Sequence, residues 1–461
     1  MTTTQTNDFS KGSVAGNILR LAVPMTVAQL INVLYSVVDR MYIGRLPDAS
    51  GNALTGLGLT FPIISIVTAF ANLFGMGGSP LFSIERGRGN LEKARVIMGN
   101  TFALLVGTGV VLTAVILLIK QPLLYAFGAS DATYPYANGY ITIYLCGSVF
   151  VMISLGMNNF INAQGFGRKG MMTVLLGAVT NIVLDPIFIF LLDMGVQGAA
   201  LATIIAQFFS TVWAVSFLRG KRTLIRLEPS AMKLQLKLVW QIISLGFSSF
   251  VMAITNSIVQ VACNSTLQTF GGDLYVGVMT IINSVREVVS TPINGVTHAA
   301  QPVMGFNYGA KEYKRVRAGI LFTTILCVVY TTVVWLLLFL FPRFFIGLFS
   351  NETALREAAV PSMHIYFFGF FMMSLQMAGQ SAAVALGRSK QAVFFSLFRK
   401  VVIVAPLTLL LPHLFGLGVT GVFLAEPISN FIGGAACYIT MLLTIWREMR
   451  RKEKAPLTEQ T

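Results

Sequence analysis

Asp39 and Asp185 stand in stretches that hold almost no other charge. No Asp, Glu, Lys, Arg or His occurs from residue 21 to 38, and Asp185 is alone in that respect between residues 170 and 192. Each has polar neighbours at helical spacing. Gln29, Asn32, Ser36 and Asp39 recur at +3, +4 and +3, on one face of a helix. Asn181 precedes Asp185 by four residues and shares its face. Two carboxylates with amide oxygens suit a hard cation such as Na⁺. They suit a shared proton equally, because burial and a neighbouring carboxylate both favour the protonated acid. Plainer readings stand beside these. Arg40 and Arg45 follow Asp39 closely, as at an interface, and Asp185 precedes Pro186, as at a helix end.

The second half has stripes of its own. Asn256, Gln260, Asn264 and Gln268 follow at +4, and Asn283, Glu287, Ser290, Asn294, His298 and Gln301 line one face of the next segment. Arg286 lies beside Glu287, and Glu426 precedes Pro427. Such residues line a hydrophilic cavity or bond neighbouring helices, and for the amides interhelical bonding is the better reading. His298 and His364 fit either proton carriers or satisfied buried histidines.

The elements that hold these groups follow from composition. Hydrophobic residues make up 55% of the 461, charged residues only 11%, and mean hydropathy is +0.73. A soluble domain carries about 25% charged residues. A bilayer removes the need for a polar surface, and a carboxylate inside it costs about 2.5–3.5 kcal/mol. Apolar windows of roughly 20 residues predict twelve spans, near 17–43, 54–83, 95–120, 134–163, 170–192, 196–219, 236–266, 276–303, 316–341, 357–385, 391–412 and 418–446. The fold class expected is therefore an all-α polytopic membrane protein.

Lys and Arg number 33 against 18 Asp and Glu, a net charge of +15. With these spans the basic clusters fall on one side: Arg86–Arg95, Arg168–Lys169, Arg219–Lys237, Lys311–Arg317, Arg388–Lys390 and Arg447–Lys454. The other side holds only Arg45, Lys120, Arg343 and Arg356. That asymmetry predicts an even number of spans with both termini cytoplasmic, and it accounts for the basic excess without nucleic acid. Cys146, Cys263, Cys327 and Cys437 lie in apolar stretches with neither ligand spacing nor a disulfide framework. No cleavage site follows the first apolar run, so no removed leader is expected. No phosphate-binding G-x-x-x-x-G-K-[ST], H-E-x-x-H or serine elbow occurs. A gradient is then the natural energy source, and no enzymatic constellation is expected.

The halves resemble each other at an offset of about 220 residues. The loop Arg88–Val96 pairs with Tyr308–Val316, Gly167-Arg168-Lys169 with Gly387–Lys390, and Gly195–Ala199 with Gly418–Val422. Six spans per half give a parallel repeat, two pseudo-symmetric six-helix lobes able to rock about a shared site. The expected division is a cytoplasmic segment 1–16, an N-lobe 17–219, a linker 220–235, a C-lobe 236–446 and a basic tail 447–461.

Several marks together resemble the multidrug and toxic compound extrusion (MATE) family, over roughly 14–450. They are Pro24 followed by Leu34–Gly44 around Asp39, the run Asn181–Pro186, the run Gly198–Thr203, and the repeated Gly-x-x-x-x-x-Arg-Val loop. The chain looks closest to the bacterial MepA-like and DinF-like members. The resemblance implies lobes around a central cavity and export of cationic amphipathic drugs by antiport against H⁺ or Na⁺, without a cofactor, from the cytoplasmic membrane. A monomer is expected, in contact with lipid and small organic cations. It puts the H⁺ or Na⁺ site on Asp39, Asn181, Asp185 and Thr203, and a bend in the first span at Pro24. Gln29, Asn32, Ser36, Gln260, Asn283, Glu287, Asn294 and His298 are the cavity candidates. Some branches carry coupling acids in spans 7 and 10, where this chain has Gln260, Gln376 and Gln380. A lipid-linked-precursor flippase of the same superfamily is the alternative, and it calls for a more basic cavity.

Overall fold

Long apolar runs become helices because a bilayer offers backbone N–H and C=O groups no other partner. The computed structural model describes residues 8–43, 50–350, 352–414 and 416–454. The first half contains α1 (Val14–Ile43), α2 (Ser50–Gly87), α3 (Leu91–Ala126), α4 (Tyr134–Cys146), α5 (Ser148–Ala163), α6 (Gly167–Pro186) and α7 (Gly195–Arg219). The second contains α8 (Leu236–Gly309), α9 (Tyr313–Leu340), α10 (Pro342–Gly347), α11 (Thr353–Tyr366), α12 (Phe370–Ala385), α13 (Ser389–Leu397), α14 (Ala405–Leu410), α15 (Val419–Met441) and α16 (Arg447–Lys454).

Among the described residues nine helices are long and apolar enough to cross a bilayer, and the bent pairs α4–α5 and α11–α12 bring the number to eleven. One of the nine, α8, is two spans. At Gly272 its backbone turns to φ 62°, ψ −164°, a conformation open to glycine because it lacks a Cβ. Each arm exceeds the roughly 20 residues a bilayer needs. The total is the twelve expected from hydropathy.

Local irregularities repeat between halves. The fourth span bends by 56° at Gly147 and the tenth by 50° before Phe370. The fifth and eleventh spans, Gly167–Leu191 and Ser389–His413, each contain a widened π-helical turn, Ile187–Leu191 and Phe398–Val404. Such turns interrupt the regular ladder and recur at functional sites.

The chain divides into two compact units. One is built on Val27–Gly246, and the other combines Phe9–Thr26 with the chain from Phe247 onward. In the first, α2 packs on α3, α4 and α5, and α7 on α4, α5 and α6. Small residues allow the closest approach: a Cβ on Gly246 would lie 1.8 Å from the Leu73 carbonyl oxygen, and one on Gly77 2.1 Å from that of Ile242. In the second unit α12 packs between α9 and α15, and α15 also meets α11 and the turn Phe398–Val404. Its core joins both arms of α8, through Val259, Leu267 and Ile282, to Phe367 and Phe423.

The segment after α7 is fastened to the first unit by two amides. The Asn100 amide donates to the carbonyls of Ala231 (3.2 Å) and Lys233 (2.9 Å), and its oxygen accepts from the Gln235 N–H at 2.8 Å. The Gln164 oxygen accepts from the Thr223 hydroxyl at 2.8 Å and from the N–H groups of Leu224 and Ile225, both at 2.9 Å.

Candidate functional site

In the first unit the candidates gather on α6 and α7. One helical turn separates Asn181 from Asp185, and the Asn181 amide donates to the Asp185 carboxylate at 3.1 Å and to the Thr203 hydroxyl of α7 at 3.4 Å. Asn181 and Asp185 are buried, and Thr203 is half-buried. Small residues bring the helices together: a Cβ on Gly198 would stand 2.7 Å from the Phe188 backbone. The Ser210 hydroxyl bonds the Thr173 carbonyl at 2.9 Å. Pro186, which cannot donate to the ladder, and the π-helical turn after it end the regular helix directly beyond Asp185.

Beside this triad lies a cavity of about 70 Å³, lined among others by Asn32, Tyr35, Asn158, Asn181, Thr203 and Gln207. That is room for several waters or a hydrated ion. Its polar wall is rich in acceptors. Among the described residues the side-chain oxygens of Asn158 and Asn181 receive no hydrogen bond, while the Gln207 oxygen is taken by the Ser154 hydroxyl at 2.6 Å. The unpartnered oxygens of Asn158 and Asn181 are acceptors that a cation or a protonated species can use.

Asn32 thus reaches the same cavity as Asn181 and Thr203. Gln29, on the same stripe of α1, is half-buried and is not part of its wall. Ser36 and Asp39 belong to α1, but their side chains lie outside the described residues. Pro24 is buried within α1, and two residues later Thr26 packs so tightly on α8 that a Cβ on Gly295 would fall 2.1 Å from its hydroxyl.

The second unit holds a polar cluster of opposite character. Asn283 donates to the Gln260 oxygen at 2.9 Å and Gln260 to Asn264 at 3.0 Å, tying the two arms of α8. A smaller cavity of about 20 Å³ adjoins Gln260, Asn283, Arg286, Tyr366, Lys400 and Glu426. Glu426 is buried and ion-paired to Arg399, with the Lys400 ammonium 3.5 Å from its other oxygen. Arg399 also donates to Ser429 at 3.2 Å and to Gln376 at 3.1 Å. Glu287 is exposed, Asn294 and His298 are half-buried, and none of the three lines either cavity. His364 bonds the Phe339 carbonyl at 3.0 Å.

The sequence pointed to Asn181, Asp185 and Asn32, because their signal lies within single helices. It missed Tyr35, Asn158 and Gln207 on the cavity wall. Nor did it bring forward Arg399 and Lys400, which are buried in the π-helical turn midway along the eleventh span. Two adjacent bases inside an otherwise apolar run were the available signal.

Residues 24–187 and 248–410 match the family model described as MatE. The chain is 24% identical to a protein named Multidrug export protein MepA from Staphylococcus saprophyticus, over 98% of both chains. Its fold matches a crystal structure of MATE in the bent conformation with a TM-score of 0.91 and 23% identity, covering 98% of this chain and 100% of that one. It also matches MATE in complex with MaD3S, with a TM-score of 0.90 and 22% identity over 97% and 99% of the respective chains.

Proposed function

The chain belongs to the MatE family, and from that premise we propose that it is a secondary active multidrug exporter. It exchanges cationic amphipathic small molecules for H⁺ or Na⁺ by alternating access. The naming of the staphylococcal relative as a multidrug export protein supports this reading. The observation that carries it is the bonded set of buried Asn181 and Asp185 with half-buried Thr203, beside a cavity with open acceptor oxygens.

A cation entering there meets the Asp185 carboxylate, the Asn181 carbonyl oxygen and the Thr203 hydroxyl. A proton instead neutralises the carboxylate. Either event removes a net negative charge beside the cavity, and Asp39 is assigned to the same site. Exchange follows when ion and drug each favour a different conformation of the protein. Pro24 is assigned as the place where α1 yields. The boundary between compact units within α1, between Thr26 and Val27, supports that assignment.

We assign the protein to the cytoplasmic membrane with both termini cytoplasmic, the helices from 17 to 219 and from 236 to 446 as its lobes, and 220–235 and 447–461 as cytoplasmic linker and tail. The precursor flippase needs a basic cavity that admits pyrophosphate. The basic cluster here borders a cavity of only about 20 Å³, which favours the exporter.

The test is efflux of ethidium from vesicles under an imposed Na⁺ or pH gradient. Asp185→Asn and Asp39→Asn are expected to abolish gradient-driven efflux at normal expression. Near-normal pumping by both variants would overturn the site. Whether a Na⁺ gradient or a pH gradient sustains the parent's transport identifies the coupling ion.

A further inference from the structure

The two cavities differ in charge. The cavity near Asn181 is lined by uncharged residues, whereas the other is lined by Arg286, Lys400 and Glu426. Glu426 is the acid on the wall of the second cavity, and Arg399 already matches its charge with an ion pair backed by Ser429 and Gln376. Lys400 reaches the other Glu426 oxygen only at 3.5 Å and makes no hydrogen bond among the described residues. Arg286, from the second arm of α8, forms no hydrogen bond or ion pair among them, and the Tyr366 hydroxyl forms no hydrogen bond. A guanidinium stays charged in any protein environment. Even with Lys400 neutral, the cluster carries one positive charge more than it carries negative ones.

An uncompensated charge within membrane-spanning helices is costly. Water would solvate it, and a counter-anion would neutralise it. The cavity admits about one water-sized species at its roughly 20 Å³. A space of that size suits a monatomic ion better than a phosphate or a carboxylate substrate. We propose that the cavity among Arg286, Tyr366, Lys400 and Glu426 is a binding site for one small monovalent anion, chloride being the probe. Arg286 and Lys400 supply the charge, and the Tyr366 hydroxyl and the free N–H of Asn283 supply neutral donors. The other charged and titratable groups facing the site are Arg399, engaged by Glu426, and Cys263, whose thiol lies 3.8 Å from the Thr408 hydroxyl. Glu287 lies next to Arg286 in sequence but is exposed.

The site is independent of the proposed ion site in the first unit, so its test needs neither drug nor gradient. The full chain, purified in detergent, is titrated with sodium chloride against sodium gluconate at constant Na⁺ and ionic strength. Equilibrium binding of ³⁶Cl⁻ and the thermal unfolding midpoint are both read. Expected are saturable binding of one chloride per chain, a midpoint that rises with chloride but not with gluconate, and competition by bromide. Arg286→Gln weakens binding by about tenfold or more, the effect of losing one charge-assisted contact. Should that variant not fold, Lys400→Gln is the second variant, with the same expectation. Absence of saturable binding by the parent overturns the site in favour of a water-filled cluster. Unchanged affinity in the variant overturns it equally.

Discussion

Replacing Glu426 by glutamine keeps the shape of the side chain and removes its charge. The Glu426 and Arg399 side chains are only 8% and 6% exposed, so solvent cannot take over the lost interaction. The parent cluster holds Arg286, Arg399 and Lys400 against one carboxylate. Glu426→Gln leaves three formal positive charges with none to oppose them. Breaking a buried ion pair from one side costs about 3–5 kcal/mol, and that loss of stability is expected here. The double variant Glu426→Gln/Arg399→Gln restores the parent's net charge and lets two amides bond each other. It is expected to recover about 1–3 kcal/mol relative to Glu426→Gln alone. Denaturant- or heat-induced unfolding of the detergent-purified chain, followed by tryptophan fluorescence, measures both. A single variant as stable as the parent would refute the reasoning. So would a double variant whose loss equals the sum of the two single losses.

Substituting Gly246 by leucine drives a side chain into the Leu73 carbonyl, which even a Cβ would meet at 1.8 Å. A destabilisation of about 1–3 kcal/mol or more is expected, whereas Gly58→Ala, with nothing within 4 Å of its Cβ, should be neutral or slightly stabilising in the same unfolding assay. Asn100→Ala removes the bonds to Ala231, Lys233 and Gln235. It should loosen the segment by about 2–3 kcal/mol, read as faster tryptic cleavage at Lys233.

What could be read from the sequence depended on how far apart the partners lie along the chain. Asn181 and Asp185 were legible because four residues of helix suffice to align them. The twelve spans were legible because a bilayer demands length and apolarity from each one separately. Thr203 entered only through a family resemblance, since its contact with Asn181 crosses from α7 to α6. The pairing of Arg399 with Glu426 spans 27 residues and two elements, and only packing decides it. The sharp bends fall at Gly147 and just before Phe370, after Gly369 at φ 73°. Gly147 is followed by Ser148, and a Gly/Ser pair is a recognised site of sharp helix kinks.

Two joints between the compact units lie inside helices, at Thr26–Val27 within α1 and at Gly246–Phe247 within α8. The polar segment that a designer would choose as a flexible tether is bolted down by Asn100 and Gln164. The chain passes between the units as helix rather than as slack coil, so stiffening the residues at either joint should alter the timing of transport more than any change in the polar segment's length.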